Sequence, residues 1–178
     1  KCLKMKCKIM SKKGFFITGT DTGVGKTFFA SILMKKYNFD YWKPIQTGKF
    51  TENDTLYIKK KLGIENNRFH KPIYTFKKPL SPHLASRYEK ISISIKKIKK
   101  PNTIKPLIIE GAGGVLVPLN KKNLIIDLIK KFRLPVIIVS KSILGTINHT
   151  LMTLEILKKN KIKVFGVVLN NVKNKKEG

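Results

Sequence analysis

The sequence predicts an α/β protein: a mostly parallel β-sheet flanked by helices. Three observations carry this. Short apolar runs alternate with segments of helical periodicity along most of the 178 residues, as in repeated β-α-β units. Val136-Ile137-Ile138-Val139 is apolar without a break, as a central parallel strand covered on both faces must be. Near the N-terminus, an apolar strand, a glycine-containing loop and a helical pattern follow one another directly.

Taken in order, Phe15-Phe16-Ile17-Thr18 reads as a buried strand. Residues Lys26 to Tyr37 follow as a helix, with Phe29, Ile32, Leu33 and Tyr37 at helical spacing. Tyr41-Trp42-Lys43 is a short strand stopped by Pro44, and Thr55 to Leu62 is a helix closed by Gly63. Residues 64–105 are the least regular, punctuated by Pro72, Pro79, Pro82 and Pro101. A helix begins after Ser81-Pro82, since serine caps and proline suits the first helical position. Pro106 to Glu110 is a strand ending in an acid. Ile125 to Phe132 is a helix, Val136 to Val139 a strand, Ile147 to Lys159 a helix and Val164 to Leu169 a last strand.

Composition bounds the partners. A hydrophobic content of 42% is enough for an ordinary core. No apolar run reaches the roughly 18 residues of a membrane span, and KCLKMKCKIM lacks the apolar stretch of a secretory signal. Met10 begins a natural-looking start, so residues 1–9 read as an upstream extension and 10–178 as one α/β domain. Cys2 and Cys7 both fall in that extension and read as incidental thiols. The net charge of +28 invites a nucleic-acid reading. Yet only three of the 38 basic residues are arginines (Arg68, Arg87, Arg133), and the lysines lie in scattered pairs. Arginine supplies most bidentate base and phosphate contacts. The lysines therefore read as solvated faces of a chain encoded by an AT-rich gene, a hypothesis that a gene of balanced composition would sink.

The chemistry begins at Gly19-Thr20-Asp21-Thr22-Gly23-Val24-Gly25-Lys26-Thr27. Backbone N–H groups and a helix N-terminus after a strand make an anion cradle. Gly25 permits close approach of a phosphate, Lys26 suits the β- and γ-phosphate oxygens, and the Thr27 hydroxyl suits Mg²⁺. Together these make the fold P-loop NTPase-like, of the Rossmann-type three-layer kind. The loop departs from the standard pattern, with five residues rather than four between Gly19 and Gly25. Glu110, at a strand's C-terminal end before Gly111-Ala112-Gly113-Gly114, is placed for the phosphate site. Asp54, in Thr51-Glu52-Asn53-Asp54, reads on its own as a helix cap.

Several segments in register resemble the dethiobiotin synthetase family: the loop with its extra residue, Lys43-Pro44-Ile45-Gln46-Thr47-Gly48, Tyr74-Thr75-Phe76, Pro79-Leu80-Ser81-Pro82-His83, Glu110-Gly111-Ala112-Gly113-Gly114, Leu144-Gly145-Thr146-Ile147-Asn148-His149, and Gly166 to Asn171. The resemblance runs from about Met10 to Val172. It implies an ATP-dependent cyclo-ligase of biotin biosynthesis. One amine of 7,8-diaminononanoate takes up CO₂ as a carbamate, the carbamate attacks the γ-phosphate of ATP, and the second amine closes the cyclic urea on the mixed anhydride. It implies Lys43 and Lys26 as catalytic residues. ATP would be held by Gly23, Val24, Gly25, Lys26, Thr27, Phe28, Asp54, Glu110, Gly111, Ala112, Gly113, Asn170 and Asn171. The metal Mg²⁺ would be held by Thr27, Asp54 and Glu110, and the substrate by Thr22, Thr47, Gly145, Thr146, Ile147 and Asn148. The implied partners are small molecules only, in a cytoplasmic homodimer with no membrane or nucleic-acid partner. His83 and His149 read as structural.

The departures set the expectations to be tested. Gly23 stands where some members carry Glu, and Thr47 where others carry Ser. The chain reads as shortened at its C-terminal end relative to the family, which predicts weak discrimination of the nucleotide base. Two alternatives stay open. A partition-type ATPase binding DNA carries a signature lysine five residues before the loop lysine, where this chain has Asp21. A degenerate, non-catalytic nucleotide binder is the other.

Overall fold

A computed structural model describes Ile9 and residues 13–48, 53–64 and 66–170. Within these, eight strands and five α-helices alternate: β1 (Gly14–Gly19), α1 (Lys26–Tyr37), β2 (Asp40–Trp42), β3 (Ile45–Thr47), α2 (Asp54–Leu62), β4 (Phe69–His70), β5 (Tyr74–Phe76), α3 (Pro82–Tyr88), β6 (Leu107–Gly114), α4 (Ile125–Phe132), β7 (Val136–Lys141), α5 (Thr146–Lys159) and β8 (Val164–Asn170). Six strands form one sheet in the order β4-β2-β6-β1-β7-β8, and every pairing is parallel.

The sheet is covered on both faces because its strands alternate between two cores. Phe15, Ile17, Tyr41, Ile108, Ile137 and Val139 join Ala30, Leu33 and Met34 of α1 and Ile58 of α2 on one face. Phe16, Trp42, Ile109 and Ile138 join Ile125, Ile126, Leu128 and Ile129 of α4 and Leu157 of α5 on the other. Phe15, Phe16 and Ile17 are all fully buried, which is why β1 carries no polar alternation. Each of these large side chains contributes about 1.5–3 kcal/mol by leaving water.

Three sequence expectations are corrected. Pro44 ends β2 but not extended structure. The chain turns into β3, which pairs with β5 in a separate two-stranded parallel sheet. Tyr74-Thr75-Phe76, inside the stretch read as least regular, is therefore a strand, and that stretch also supplies β4. Lys43 lies just beyond β2 rather than in it. The strand predicted to end at Glu110 continues to Gly114, with an irregularity in its pairing to β1: Ile17 faces Glu110, but Gly19 faces Gly114. This bulge leaves Glu110 at the last regular pair, where extra residues re-aim the strand beside a site.

Candidate active site

The strand ends converge on a cleft of about 610 Å³, lined by Thr22, Gly23, Gly25, Lys26, Thr27, Phe28, Lys43, Thr47, Asp54, Glu110, Ala112 and Gly113 among others. The loop from β1 delivers the first half of it. Gly25, at φ 99°, stands in the left-handed region immediately before α1. A side chain there would be strained and would also strike Asn170. No side chain caps α1, and its first turn carries no acid. The N–H groups and positive dipole end of this 12-residue helix thus face the loop, where the Asp21 carboxylate accepts from the Thr22 N–H at 2.6 Å. Lys26 Nζ donates to the Asp21 carbonyl at 2.9 Å, curling over the loop. Burial, reinforced by nearby Lys43, lowers its pKa against the pull of Glu110, Asp54 and Asp21. A bound phosphate would add to the anions that favour its charged form.

The second half is a charge network. Lys43 Nζ donates to Asp54 Oδ2 at 2.5 Å and to Glu110 Oε1 at 3.3 Å. The Thr27 hydroxyl lies 2.5 Å from Asp54 Oδ1 and 2.9 Å from Glu110 Oε1. Tyr41 closes the set, its hydroxyl donating to Glu110 Oε2 at 2.8 Å. The side chains of Glu110 and Lys43 are 1% and 9% exposed, so neither charge survives unpaired at such depth. Burial pushes the Lys43 ammonium down, but Glu110 and Asp54 outweigh it and hold the pKa above the usual lysine value. Burial pushes Asp54 up, yet Lys43, with help from Thr27 and Gln46, brings it down to about 2. Burial, then Glu110 and Asp54, raise the Tyr41 phenol well above its ordinary value, so it is a neutral donor at neutral pH.

The helix cap belongs to the neighbour of Asp54. The side chain of Asn53 accepts from Leu56 N–H at 2.9 Å and caps α2. That leaves the Asp54 carboxylate for the network, against the reading of Asp54 as the cap. The residues fit a magnesium ion on this structure's own terms: two carboxylates and a hydroxyl meet in one corner beside the phosphate loop, a hard-oxygen donor set. Among the described residues no group of three or more His, Cys, Asp or Glu could hold a metal ion by itself.

Not every predicted residue meets at this cleft. Val24 is buried beneath the loop and Gly111 beneath the sheet end. Asn170, at the end of β8, donates through Nδ2 to the Val24 carbonyl at 3.0 Å, so it braces the loop from below. Asn171 lies outside the described residues. Gly145, Thr146 and Ile147 line a separate groove of about 720 Å³ between α5 and β8, with Ile143, Leu144, Leu151, Val167 and Leu169. Asn148 is exposed beside it. A chain of hydroxyls links the two regions: Thr20 Oγ1 donates to Ser140 Oγ at 3.3 Å, and Ser140 Oγ bonds Thr146 Oγ1 at 2.5 Å and Thr150 Oγ1 at 3.0 Å. The residues that sequence reasoning missed are Tyr41 and Asn53. Tyr41 reads from the sequence only as part of a short strand, and its partner lies 69 positions away. His83 bonds Ser81 Oγ at 3.1 Å, in keeping with a structural role.

A parallel sheet ending in this loop and a metal-ready pair of carboxylates define a phosphate-binding, P-loop NTPase-like protein. The comparisons agree with that class and narrow it. Residues 13–177 match the model of a family described as an AAA domain. The chain is 45% identical over 162 residues to the ATP-dependent dethiobiotin synthetase BioD of Paramagnetospirillum magneticum, covering 91% of this chain and 78% of that protein. It is 49% identical over 160 residues to the synthetase of the same name from Lawsonia intracellularis, covering 90% and 77%. It is 43% identical over 159 residues to the biotin biosynthesis bifunctional protein BioCD of Bordetella avium, covering 89% of this chain and 34% of that longer protein. The chain belongs to the ATP-dependent dethiobiotin synthetase family.

Proposed function

We propose that this protein is an ATP-dependent ligase that forms dethiobiotin from 7,8-diaminononanoate, CO₂ and ATP. The observation that carries the proposal is Lys43, held between Asp54 and Glu110 beside the phosphate loop, in a chain whose relatives bear the synthetase's name. No partition-type signature lysine competes, since Asp21 occupies that position.

Each residue has a task that its surroundings support. Lys26 and the N–H groups at the start of α1 bind the phosphates of ATP. Lys43, cationic at any physiological pH, faces the negative charge that develops as the carbamate oxygen attacks the γ-phosphate. Fixed cations at a phosphoryl group lower the barrier because they need no reorganisation during the reaction. Thr22 and Thr47 line the same cleft and hydrogen-bond the carbamate or amine end of the substrate. Thr27, Asp54 and Glu110 would hold Mg²⁺, which would neutralise phosphate charge when bound. Gly145 to Asn148, at the N-terminus of α5, suit the substrate's carboxylate. They line a groove that shares no lining residue with the cleft, which supports a site completed by a second copy, in a homodimer. The resemblance implies a cytoplasmic enzyme; among the described residues no helix is long and apolar enough to cross a membrane.

The test is direct. The protein is incubated with diaminononanoate, bicarbonate, Mg²⁺ and ATP, and dethiobiotin is sought by mass spectrometry. ATP consumption coupled to dethiobiotin is expected; nucleotide binding with no product returns the protein to the class of non-catalytic binders.

A further inference from the structure

We infer that Tyr41 is a positioning residue for the reaction: its hydroxyl fixes the orientation of the Glu110 carboxylate so that one oxygen alone faces Thr27, Lys43 and the metal corner. The inference rests on the proposed role of Glu110 as a metal-side acid.

The geometry comes from two neighbouring strands. Tyr41 of β2 is in register with Ile108 of β6, and Glu110 lies two residues farther along the same face. Parallel pairing thus brings the phenol alongside the carboxylate on the α1 side of the sheet, where Tyr41 and Ile108 share one core. Tyr41 is 0% exposed and Glu110 1% exposed, so water does not reach this contact. The two carboxylate oxygens of Glu110 then have different partners. Among the described residues Oε2 accepts only from the Tyr41 hydroxyl, at 2.8 Å. Oε1 accepts from Thr27 at 2.9 Å and from Lys43 at 3.3 Å. A carboxylate on a three-bond side chain otherwise turns freely about its last torsion. Bonding one oxygen to a rigid, fully buried ring stops that rotation and satisfies a lone pair that is costly to leave bare. The division of labour matches the outer-sphere partners that orient metal-binding carboxylates, whose loss typically weakens metal affinity about 10–100-fold.

The ring itself does something else. It packs edge-on to Phe69 of β4, with centroids 6.1 Å apart, and this contact needs no hydroxyl. The two contributions therefore separate by substitution. Tyr41→Phe keeps the ring and removes the donor. Phe69→Leu trims the packing and leaves the donor.

The experiment titrates Mn²⁺, as a spectroscopic substitute for Mg²⁺, into each protein with a non-hydrolysable ATP analogue and follows free Mn²⁺ by electron paramagnetic resonance. Steady-state kinetics then give the Mg²⁺ dependence apart from kcat. For Tyr41→Phe we expect the Mn²⁺ dissociation constant to rise about 10-fold, the Mg²⁺ concentration for half-maximal rate to rise with it, and kcat at saturating Mg²⁺ to stay within about 3-fold. For Phe69→Leu we expect a lower melting temperature and an unchanged Mn²⁺ constant. An unchanged Mn²⁺ constant in folded Tyr41→Phe overturns the inference. So does an equal change in Phe69→Leu, and so does failure of Tyr41→Phe to fold, which would assign the hydroxyl to stability. A wild-type protein that binds no Mn²⁺ would remove the metal reading and this inference together. One that binds Mn²⁺ but makes no dethiobiotin would remove the proposed reaction and leave the role of Tyr41 standing.

Discussion

The phosphate-loop end of the sheet and the α5–β8 margin are built on opposite plans. At the loop, almost every polar group is already engaged: Lys43, Asp54, Glu110, Thr27 and Tyr41 satisfy one another within a few ångströms. At the margin, Ile143, Leu144, Ile147 and Leu151 stand between 56% and 104% exposed around the N-terminus of α5. The first region is complete within one chain. The second exposes apolar surface of the kind that marks an interaction site. Under the proposed reaction, chemistry on phosphate would depend on one copy's internal network, and substrate capture on association. Polar links between them run from Thr20 through Ser140 to Thr146 and from Val24 through Asn170 to Ser142.

Substitutions can break that comparison or sharpen it. Lys43→Ala removes the only cation bonded to both carboxylates. We expect turnover to fall about 10³-fold while circular dichroism shows the fold retained; near-normal turnover would take Lys43 out of the chemistry. Next comes Thr27→Val, which keeps the shape and deletes the hydroxyl shared by Asp54 and Glu110. Its KM for Mg²⁺-ATP should rise about 10–100-fold, with the KM for the diamine nearly unchanged.

The opposite pattern is expected at the margin. Leu151→Asp places a charge on the apolar face and should weaken self-association about 10-fold, read by sedimentation. Its nucleotide affinity should stay within about twofold. A loss of ATP binding as large as that of Thr27→Val would show that the two regions are not separable.

The smallest effect concerns acid. Asp54 has its folded pKa depressed to about 2. A depressed acid contributes stability that is present above its unfolded pKa of about 3.9 and is lost as pH falls through the folded value. The window is therefore about pH 4 to pH 2. After allowance for partial exposure the contribution is about 1–2 kcal/mol. Asp54→Asn should flatten that part of the acid unfolding curve. Lys43, raised above its usual value, acts in the reverse sense. Its contribution is present throughout neutral pH and is lost only when alkaline pH passes the folded pKa.

What the sequence made legible follows from the range of the interactions. The loop, α1 and the central strands announce themselves because their signals are local: a glycine run, a 3.6-residue period, an unbroken apolar stretch. Lys43, Asp54 and Glu110 were readable because a chain with ten acids places few at strand ends, and because the resemblance named them. The β3–β5 pair was not legible, since three-residue strands beside Pro44 and Gly48 carry no period, and their pairing spans about thirty residues. The cap on α2 was misassigned at first because Asn53 and Asp54 are both capping residues, and only geometry tells which side chain turns back. Tyr41 escapes as a site residue because it acts through a strand register that no local window contains, and Asn170, which the resemblance implies for ATP, bonds the Val24 carbonyl instead, 146 positions away.

The strand order has a consequence for how the protein comes into being. β1 is made first, yet its neighbours in the sheet are β6 and β7, with Gly14 opposite Leu107 and Phe16 opposite Val136. The phosphate loop is therefore among the earliest parts synthesised and among the last secured, because its brace from Asn170 to the Val24 carbonyl joins positions 146 apart. Such non-local closure slows folding and leaves apolar strands waiting unpaired. During synthesis the Phe15-Phe16-Ile17 segment is accordingly the stretch most in need of chaperone cover, and nucleotide binding should emerge abruptly, only after β8 has left the ribosome.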